Sequence, residues 1–223
     1  MLFKISLLML SWDSFAGKDN LPWKVDYKDG GITRYRTEND VKGMTPFKAS
    51  MEMDIPYTKV LMAILNNKKS PDWSPRLIKA EILKRKKINK KNKKIDFLYT
   101  QFYRAPWPFI NRQLLMDVSI KKIKNGVEFR GVKNGTKKYQ NDDYIQASIH
   151  LLYFSALKTS ENKCHATVIF IGDMGGWIPF WLIDIVQESW PTNFLLSLHK
   201  FAKSKENKES KNYLNVKKIL SLH

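Results

Sequence analysis

The order of apolar and polar positions predicts a chain built mainly of β-strands. Residues 32–36 and 47–53 alternate between the two classes, which is the pattern of a strand with one buried face. Apolar runs rich in β-branched and aromatic residues follow, separated by turn formers such as Asn125-Gly126. These further predicted strands are 77–83, 95–103, 114–121, 127–132, 144–154 and 165–171. About eight strands in hairpin order predict an antiparallel sheet.

Two short segments carry the signals of a helix start instead. Residues 20–27 begin with a capping Asn20, and residues 56–65 begin with a proline, which suits a first helical turn. We therefore expect one helix before the first strand and another after the second.

The clearest helical pattern follows the last predicted strand. The turn Asp173-Met174-Gly175-Gly176 tolerates positive φ angles, and Pro179 suits the first turn of a helix. Apolar residues then recur at helical spacing from 182 to 198. Because Pro191 removes a backbone donor, we expect a kink or a short break near residues 188–190.

These elements predict an α+β architecture, in which a curved antiparallel sheet wraps around a long C-terminal helix. Two interpretations of that helix stay open. It either closes a filled core or acts as a lid over a cavity, and the periodicity is the same in both cases.

The two ends of the chain differ from the centre. Residues 1–16 carry an apolar run and small residues before a cut after Ala16, which predicts a signal peptide; an amphipathic segment that stays attached is the alternative. The protein would then be periplasmic or secreted if this segment is cleaved, and cytoplasmic otherwise. Residues 21–201 predict one domain, and the polar tail 202–223 predicts disorder or a marginal helix.

The chain is strongly basic, with 39 Lys and Arg against 21 Asp and Glu and a net charge of +18. Eight of the eleven residues from Lys84 to Lys94 are basic, and we name this segment the basic hairpin. It is either a solvated loop or a contact to an anionic membrane, where each cation adds ~1 kcal/mol. It lacks interleaved aromatic residues, so nucleic acid is not the predicted partner. The candidate membrane contacts are Lys86, Lys87, Lys90, Lys91 and Lys93.

Motifs for catalysis or metal binding are missing from the sequence. The four histidines have no HExxH spacing, and neither a Gly-x-Ser-x-Gly motif nor a phosphate-binding glycine loop is present. Cys164 is the single cysteine, which excludes an intrachain disulfide and a thiolate cluster. We therefore predict no enzyme activity, no metal and no cofactor.

Three stretches in register resemble the StAR-related lipid-transfer (START) domain family, particularly its bacterial members. They are YRAPWPFINR at 103–112, YIQA at 144–147 and DMGGWIPFWL at 173–182. The resemblance implies a helix-grip fold whose sheet and C-terminal helix enclose an apolar tunnel for a lipid or sterol, with the helix as lid. Its implied partners are that ligand and an anionic membrane, and we expect a monomer. The alternatives are a helix-grip enzyme of cyclase or hydrolase type, and a basic surface protein without a ligand cavity.

The resemblance also suggests a site. An Arg is common in the family where this chain has Gln146, and an Asp where it has Gln113. By strand alternation Ser148 and His150 share the face of Gln146, while Gln101 and Tyr103 share a face on a strand expected to be its neighbour. The candidate ligand contacts are Gln101, Tyr103, Gln146, Ser148, His150, Trp181, Leu182 and Ile185.

Overall fold

The computed structural model describes residues 21–38 and 44–222, except for the side chains of Thr45, Lys86 and 180–188. The predicted signal peptide at residues 1–16 lies outside the described residues.

One sheet of ten strands forms most of the described structure. The spatial order is β1-β2-β3-β10-β9-β7-β6-β5-β4, with antiparallel neighbours throughout, and β8 pairs in parallel with β6. The strands are β1 Lys24–Asp29, β2 Ile32–Arg36, β3 Thr45–Met53, β4 Leu77–Asn89, β5 Lys94–Tyr103, β6 Arg112–Ile123, β7 Gly126–Lys133, β8 Ile145–Gln146, β9 Ser148–Ser160 and β10 Lys163–Asp173.

Four α-helices complete the described fold: α1 Tyr57–Leu65, α2 Ser70–Trp73, α3 Phe180–Lys203 and α4 Lys211–Leu220. The curved sheet packs around α3, whose Leu195 and Leu198 are fully buried in the core with residues of α1. The predicted α+β architecture, a curved sheet around a long C-terminal helix, is confirmed.

The long strands give the molecule two ends. The ten residues of β5 span about 30 Å at ~3.3 Å per residue. At one end lies the turn of the basic hairpin, where β4 and β5 continue almost to residues 90–93. At the other end lie the loops 104–111 and 174–179, which precede β6 and α3, and we name this the aromatic end.

The break expected in α3 is absent, because the helix runs from Phe180 to Lys203 with Pro191 inside it. Trp190 and Phe194, on either side of the proline, contact Phe170 and Phe154 of the sheet, with ring centroids 6.1 and 6.3 Å apart. Tertiary packing on both sides therefore maintains the helix where local preference predicts an interruption.

The helix predicted over residues 20–27 is wrong, because Lys24–Asp29 forms β1 and pairs with β2. Gly30 and Gly31 have φ values of +54° and +80°, which permit the tight reversal between the two strands. The hairpin turn at Gly30-Gly31 therefore outweighs the weak helix-start signals at Asn20 and Pro22, and the segment forms a strand.

The strand predicted over residues 144–154 is interrupted at Ala147. Its first part, β8, pairs with β6, whereas β9 lies between β7 and β10. Neither part is next to β5, so Gln101 and Gln146 do not lie on neighbouring strands.

The C-terminal tail contains a packed helix where we expected disorder or a marginal helix. Ser210 caps α4 by accepting a hydrogen bond from the backbone N–H of Tyr213 at 3.2 Å. Tyr213, Val216 and Leu220 are buried in the main core, on one face of the helix. The weak apolar stripe of this polar segment is therefore enough to order it against β5 and α1.

Candidate functional site

A cavity of about 110 Å³ lies between the concave face of the sheet and helices α1, α2 and α3. Its wall is largely aromatic and aliphatic. Trp190 and Phe194 of α3 face it, and Phe194 contacts Phe154 of β9 with ring centroids 6.3 Å apart. No charged side chain of the described residues lines it. The lining can hold an apolar molecule but offers no ionic partner for a charged one.

Two buried polar atoms at this cavity find no hydrogen-bond partner among the described residues. They are Nε1 of Trp73 and Oε1 of Gln101. The other side of the Gln101 amide approaches the hydroxyl of Tyr99. An unpartnered buried polar group costs ~1–3 kcal/mol, so a ligand group that bonds to these atoms would recover that free energy.

Tyr103 adds a further polar group at the same cavity. Burial raises the pKa of the Tyr103 hydroxyl, although a hydrogen bond from Ser74 partly opposes this. Burial likewise raises the pKa of Tyr99. Both hydroxyls therefore stay neutral at physiological pH, and the polar groups of the cavity are two indoles, two amides and hydroxyls.

The structure brings together some of the candidate ligand contacts and separates others. Gln101 and Tyr103 line the cavity, but Gln146, Ser148 and His150 are not among its lining residues. The hydroxyl of Ser148 accepts a hydrogen bond from Lys133 instead. The side chains of Trp181, Leu182 and Ile185 lie outside the described residues.

Gln146 takes part in a polar network on the face of the sheet opposite the cavity, because Thr100 alternates along β5 with the cavity residues Tyr99 and Gln101. Its Nε2 donates to Oε1 of Gln113 at 2.8 Å, and Gln113 Nε2 donates to the hydroxyl of Thr100 at 3.0 Å. Gln113 Oε1 also accepts from the backbone N–H of Asn141 at 2.8 Å. The two positions where the chain departs from the family pattern are thus in direct contact, as a neutral amide pair that ties β8 and the loop before it to β6.

Trp73 and Ser74 are cavity residues that the sequence analysis missed. The sequence places Trp73 between two prolines, which indicated only a rigid connector. The indole ring contacts Phe194 at a centroid distance of 5.5 Å and Phe201 at 6.2 Å, so it packs against α3. The prolines at 71 and 75 restrict the backbone around Trp73, and a buried indole N–H needs a hydrogen-bond partner. The sequence could have indicated a cavity residue through this combination.

The entry to α3 is held by one buried guanidinium. Arg112 donates hydrogen bonds to the backbone carbonyls of Ile110, Met174 and Gly175. Burial lowers the pKa of Arg112 and nearby Asp173 opposes that shift; the group remains charged. Arg112 therefore links the two loops of the aromatic end.

The glycines of the second loop are required by its geometry. Gly175 and Gly176 have φ values of +72° and +69°, as the sequence predicts for this turn. A Cβ on Gly175 would lie 2.9 Å from the carbonyl oxygen of Gln146, and one on Gly176 would lie 2.8 Å from Cδ1 of Ile145. The turn thus lies directly against β8.

Asp54, in the connection between β3 and α1, binds two side chains in the C-terminal part of α3. Asp54 accepts hydrogen bonds from Nζ of Lys203 at 2.7 Å and pairs with His199 at 2.6 Å. The bond from Lys203, followed by that from His199, lowers the pKa of Asp54 to about 2. This anchor joins the connection after β3 to the last turns of the helix.

The described residues contain no group of three or more His, Cys, Asp or Glu side chains placed to hold a metal ion. No helix among them combines the length and the apolar character needed to span a bilayer.

Comparisons with known proteins agree on the type of fold. A family model described as the START domain matches residues 15–209, and no curated protein sequence matches the chain. The structure of human STARD10 superposes with a TM-score of 0.73 at 17% identity, covering 82% of this chain and 74% of that one. Human StAR-related lipid transfer protein 5 gives 0.72 at 13% identity, with 83% and 88% covered.

A bacterial structure is similar as well. The STAR-related lipid transfer protein from Xanthomonas axonopodis gives a TM-score of 0.68 at 16% identity, covering 82% of this chain and 99% of that one. At such identities these likenesses establish the helix-grip fold, and the site has to be argued from the residues of this chain.

Proposed function

This chain belongs to the START domain family, and from that premise we propose that it binds a lipid or sterol in the cavity beneath α3 and moves it between membranes. The observation that carries the proposal is the apolar cavity with the unpartnered atoms of Trp73 and Gln101 on its wall. These two atoms are one donor and one acceptor that a bound ligand can pair with.

The ligand chemistry follows from the same atoms. A hydroxyl group both donates and accepts, so it satisfies the N–H of Trp73 together with either end of the Gln101 amide. No charged side chain of the described lining compensates an anionic headgroup inside the cavity. We therefore propose a ligand with an apolar body and one small neutral polar group, as in a sterol, rather than an anionic phospholipid.

The small size of the cavity supports the proposal that α3 moves when a lipid binds. An engineered cavity of ~150 Å³ holds benzene, and drug-sized ligands occupy ~300–1,000 Å³. At about 110 Å³ the cavity is smaller than either. Binding of a lipid therefore includes displacement of the wall, which gives α3 the role of a lid.

The moving part of the lid is proposed to be the first half of α3. Its second half is held by the buried Leu195 and Leu198 and by the anchor at Asp54. The first half begins after the turn Gly175-Gly176 and ends at Pro191, which has no N–H to donate within the helix.

We propose a carrier protein and not an enzyme, which is supported by the similarity to lipid transfer proteins from human and Xanthomonas axonopodis. It is proposed to act as a monomer without a cofactor, and to be periplasmic or secreted if residues 1–16 are removed and cytoplasmic otherwise. The mass of the N-terminal peptide from the protein isolated from its cells tests the cleavage.

Native mass spectrometry after incubation with vesicles tests the binding. The vesicles contain a sterol, a diacylglycerol and an anionic phospholipid in equal amounts, and bound lipid is extracted and identified. We expect one molecule per chain, enriched in the sterol or diacylglycerol. A bare protein mass would contradict the proposal and favour a basic surface protein with a filled core, whereas enrichment of the anionic phospholipid would contradict the neutral polar site.

A further inference from the structure

We propose that the free edge of β4 binds an extended, acidic segment of another protein, which adds to the sheet as a further strand beside residues 78–85. Three features meet at this place: an edge strand, a groove along it and a set of cations without ion-pair partners. The proposal does not depend on lipid binding, so either can fail without the other.

β4 is one of the two edge strands of the described sheet. It comes last in the spatial order, and among the described strands it pairs with β5 alone. No backbone hydrogen bond from a described turn or loop reaches residues 78–88. The N–H and C=O groups on the outer side of an edge strand can pair with an additional strand. The main chain of β4 therefore offers a site for strand addition.

An open groove of about 770 Å³ follows this edge. Every residue from Ile78 to Arg85 lines it, so the groove runs along the strand for about 23 Å at ~3.3 Å per residue. The residues of the opposite wall are Asn67, Lys68, Pro71 and Asn212. A peptide in the groove would thus contact β4 on one side and helical segments on the other.

Part of the opposite wall lies in the C-terminal helix α4. Asn212 belongs to α4, whereas the family model ends at residue 209. The cap at Ser210 and the burial of Tyr213 hold this helix in place, so Asn212 has a fixed position beside the groove. The complete groove therefore requires residues beyond the START match.

The charges of the groove favour an acidic occupant. Lys68, Lys84 and Arg85 are exposed and make no ion pair with other described residues. The remaining cation of the lining, Lys79, pairs at 2.9 Å with Glu81, the acidic residue of the lining. Because three cations stay uncompensated, a segment with Asp or Glu side chains gains ion pairs while its main chain pairs with β4.

The same charges disfavour a second copy of this chain as the occupant. Two β4 edges paired with each other would place basic residues of both copies opposite one another, which destabilises a sheet. β-bulges between Ile82 and Lys84 and between Arg85 and Lys87 also guard the edge against self-association. A regular stretch remains at 79–82, so the added strand is short and its acidic side chains reach the cations beyond it.

An anionic membrane is the other partner that a basic surface fits. The predicted membrane contacts, from Lys86 to Lys93, lie nearer to the turn of the basic hairpin than the groove, which ends at Arg85. A flat bilayer does not enter a groove between a strand and helices, whereas an extended peptide does. The groove therefore favours a protein segment over a membrane.

Fluorescence anisotropy with a labelled octapeptide that alternates glutamate and valine tests the charge recognition. We expect the full chain to bind it, and Lys84→Glu with Arg85→Glu to weaken binding at least about tenfold. The control Lys90→Glu with Lys91→Glu makes the same change in net charge outside the groove and should weaken binding less than about threefold. Equal losses in the two double variants, or no binding by the unmodified chain, would overturn the inference.

Two further measurements test the addition of a strand. An octapeptide of the same sequence with every backbone amide methylated keeps its charges but has no N–H to donate, and it should not bind. Hydrogen–deuterium exchange on binding of the unmethylated peptide should slow in β4 and stay unchanged in the other edge strand, β1. Equal binding of the methylated peptide, or no protection in β4, would overturn the inference.

Vesicles of phosphatidylcholine with a minor fraction of phosphatidylglycerol separate the two partner classes. If the chain binds these vesicles through Lys90 and Lys91 but does not bind the acidic peptide, the basic surface is a membrane contact and the inference is wrong. Peptide binding by a chain that retains no lipid would support the inference and contradict only the proposed function.

Discussion

The two ends of the β5 strand differ in structure: one is closed by packed side chains of α4, and the other carries exposed aromatic side chains beside α3. At the basic hairpin, charges point into solvent while α4 fills the space inside with Tyr213, Val216 and Leu220. At the aromatic end, the exposed indoles of Trp107 and Trp177 lie beside the entry to α3, on two loops that Arg112 joins. The end with the greater charge is the more completely packed one, so charge density alone does not locate the working surface.

The largest effect is expected from the closed end. Leu220→Ala removes a fully buried side chain from the core and should lower the free energy of unfolding by ~3 kcal/mol. Leu214→Ala on the exposed face of the same helix should change it by less than ~0.5 kcal/mol. Urea denaturation measures both. Equal, small effects would mean that α4 does not close this end.

A pair of identical changes distinguishes the structural amide from the proposed ligand contact. Gln146→Leu removes a donor from Gln113 and should lower the free energy of unfolding by ~1–2 kcal/mol, with no change in the lipids retained. Urea denaturation and lipid extraction provide the two readings. An altered lipid profile at undiminished stability would place Gln146 in the site after all.

Gln101→Leu should show the reverse pattern. It removes an unpartnered buried acceptor together with the contact to Tyr99, two opposing effects, so the ligand-free protein should unfold at nearly the same urea concentration. Its lipid occupancy should fall about tenfold, since a hydrogen bond to the ligand is lost. If the ligand-free variant is clearly destabilised, Gln101 is a structural residue and the proposed polar site is wrong.

The smallest effect concerns the anchor of α3. The bonds from Lys203 and His199 lower the pKa of Asp54 to about 2, below its ordinary value, so they stabilise the fold above pH ~4. This contribution should vanish as the pH falls towards 2. Urea midpoints of the unmodified chain and of Asp54→Asn should therefore differ at pH ~6 and converge on acidification. A constant difference down to the lowest pH would show that the carboxylate charge is not responsible.

The sequence predicted the elements whose causes are local. The φ > 0 turn at Gly175-Gly176, the α1 helix and the hairpins with strong turn formers follow from residues that determine their own backbone. The predictions for residues 20–27 and 202–223 differ from the structure because both segments depend on distant partners. The first pairs with β2, and the second packs on the core beside β5.

The site was predictable only in part, for a similar reason. Strand alternation assigns a residue to a face, and it placed Gln101 and Tyr103 correctly on one face, where both line the cavity. It says nothing of which partner a side chain selects, and Gln146 bonds to Gln113 across a parallel pairing that no local pattern indicates. Trp73 reaches the cavity only because α2 packs against α3.

The indole N–H groups provide the most direct test of a neutral ligand site beneath α3. Seven tryptophans give resolvable signals in a two-dimensional heteronuclear NMR spectrum, and Trp73→Phe assigns the one at the cavity. On titration with a sterol delivered from cyclodextrin, we expect the Trp73 signal to move downfield as its N–H acquires an acceptor, while the signals of Trp107 and Trp177 stay in place. A saturated complex in which the Trp73 signal does not move would contradict the account.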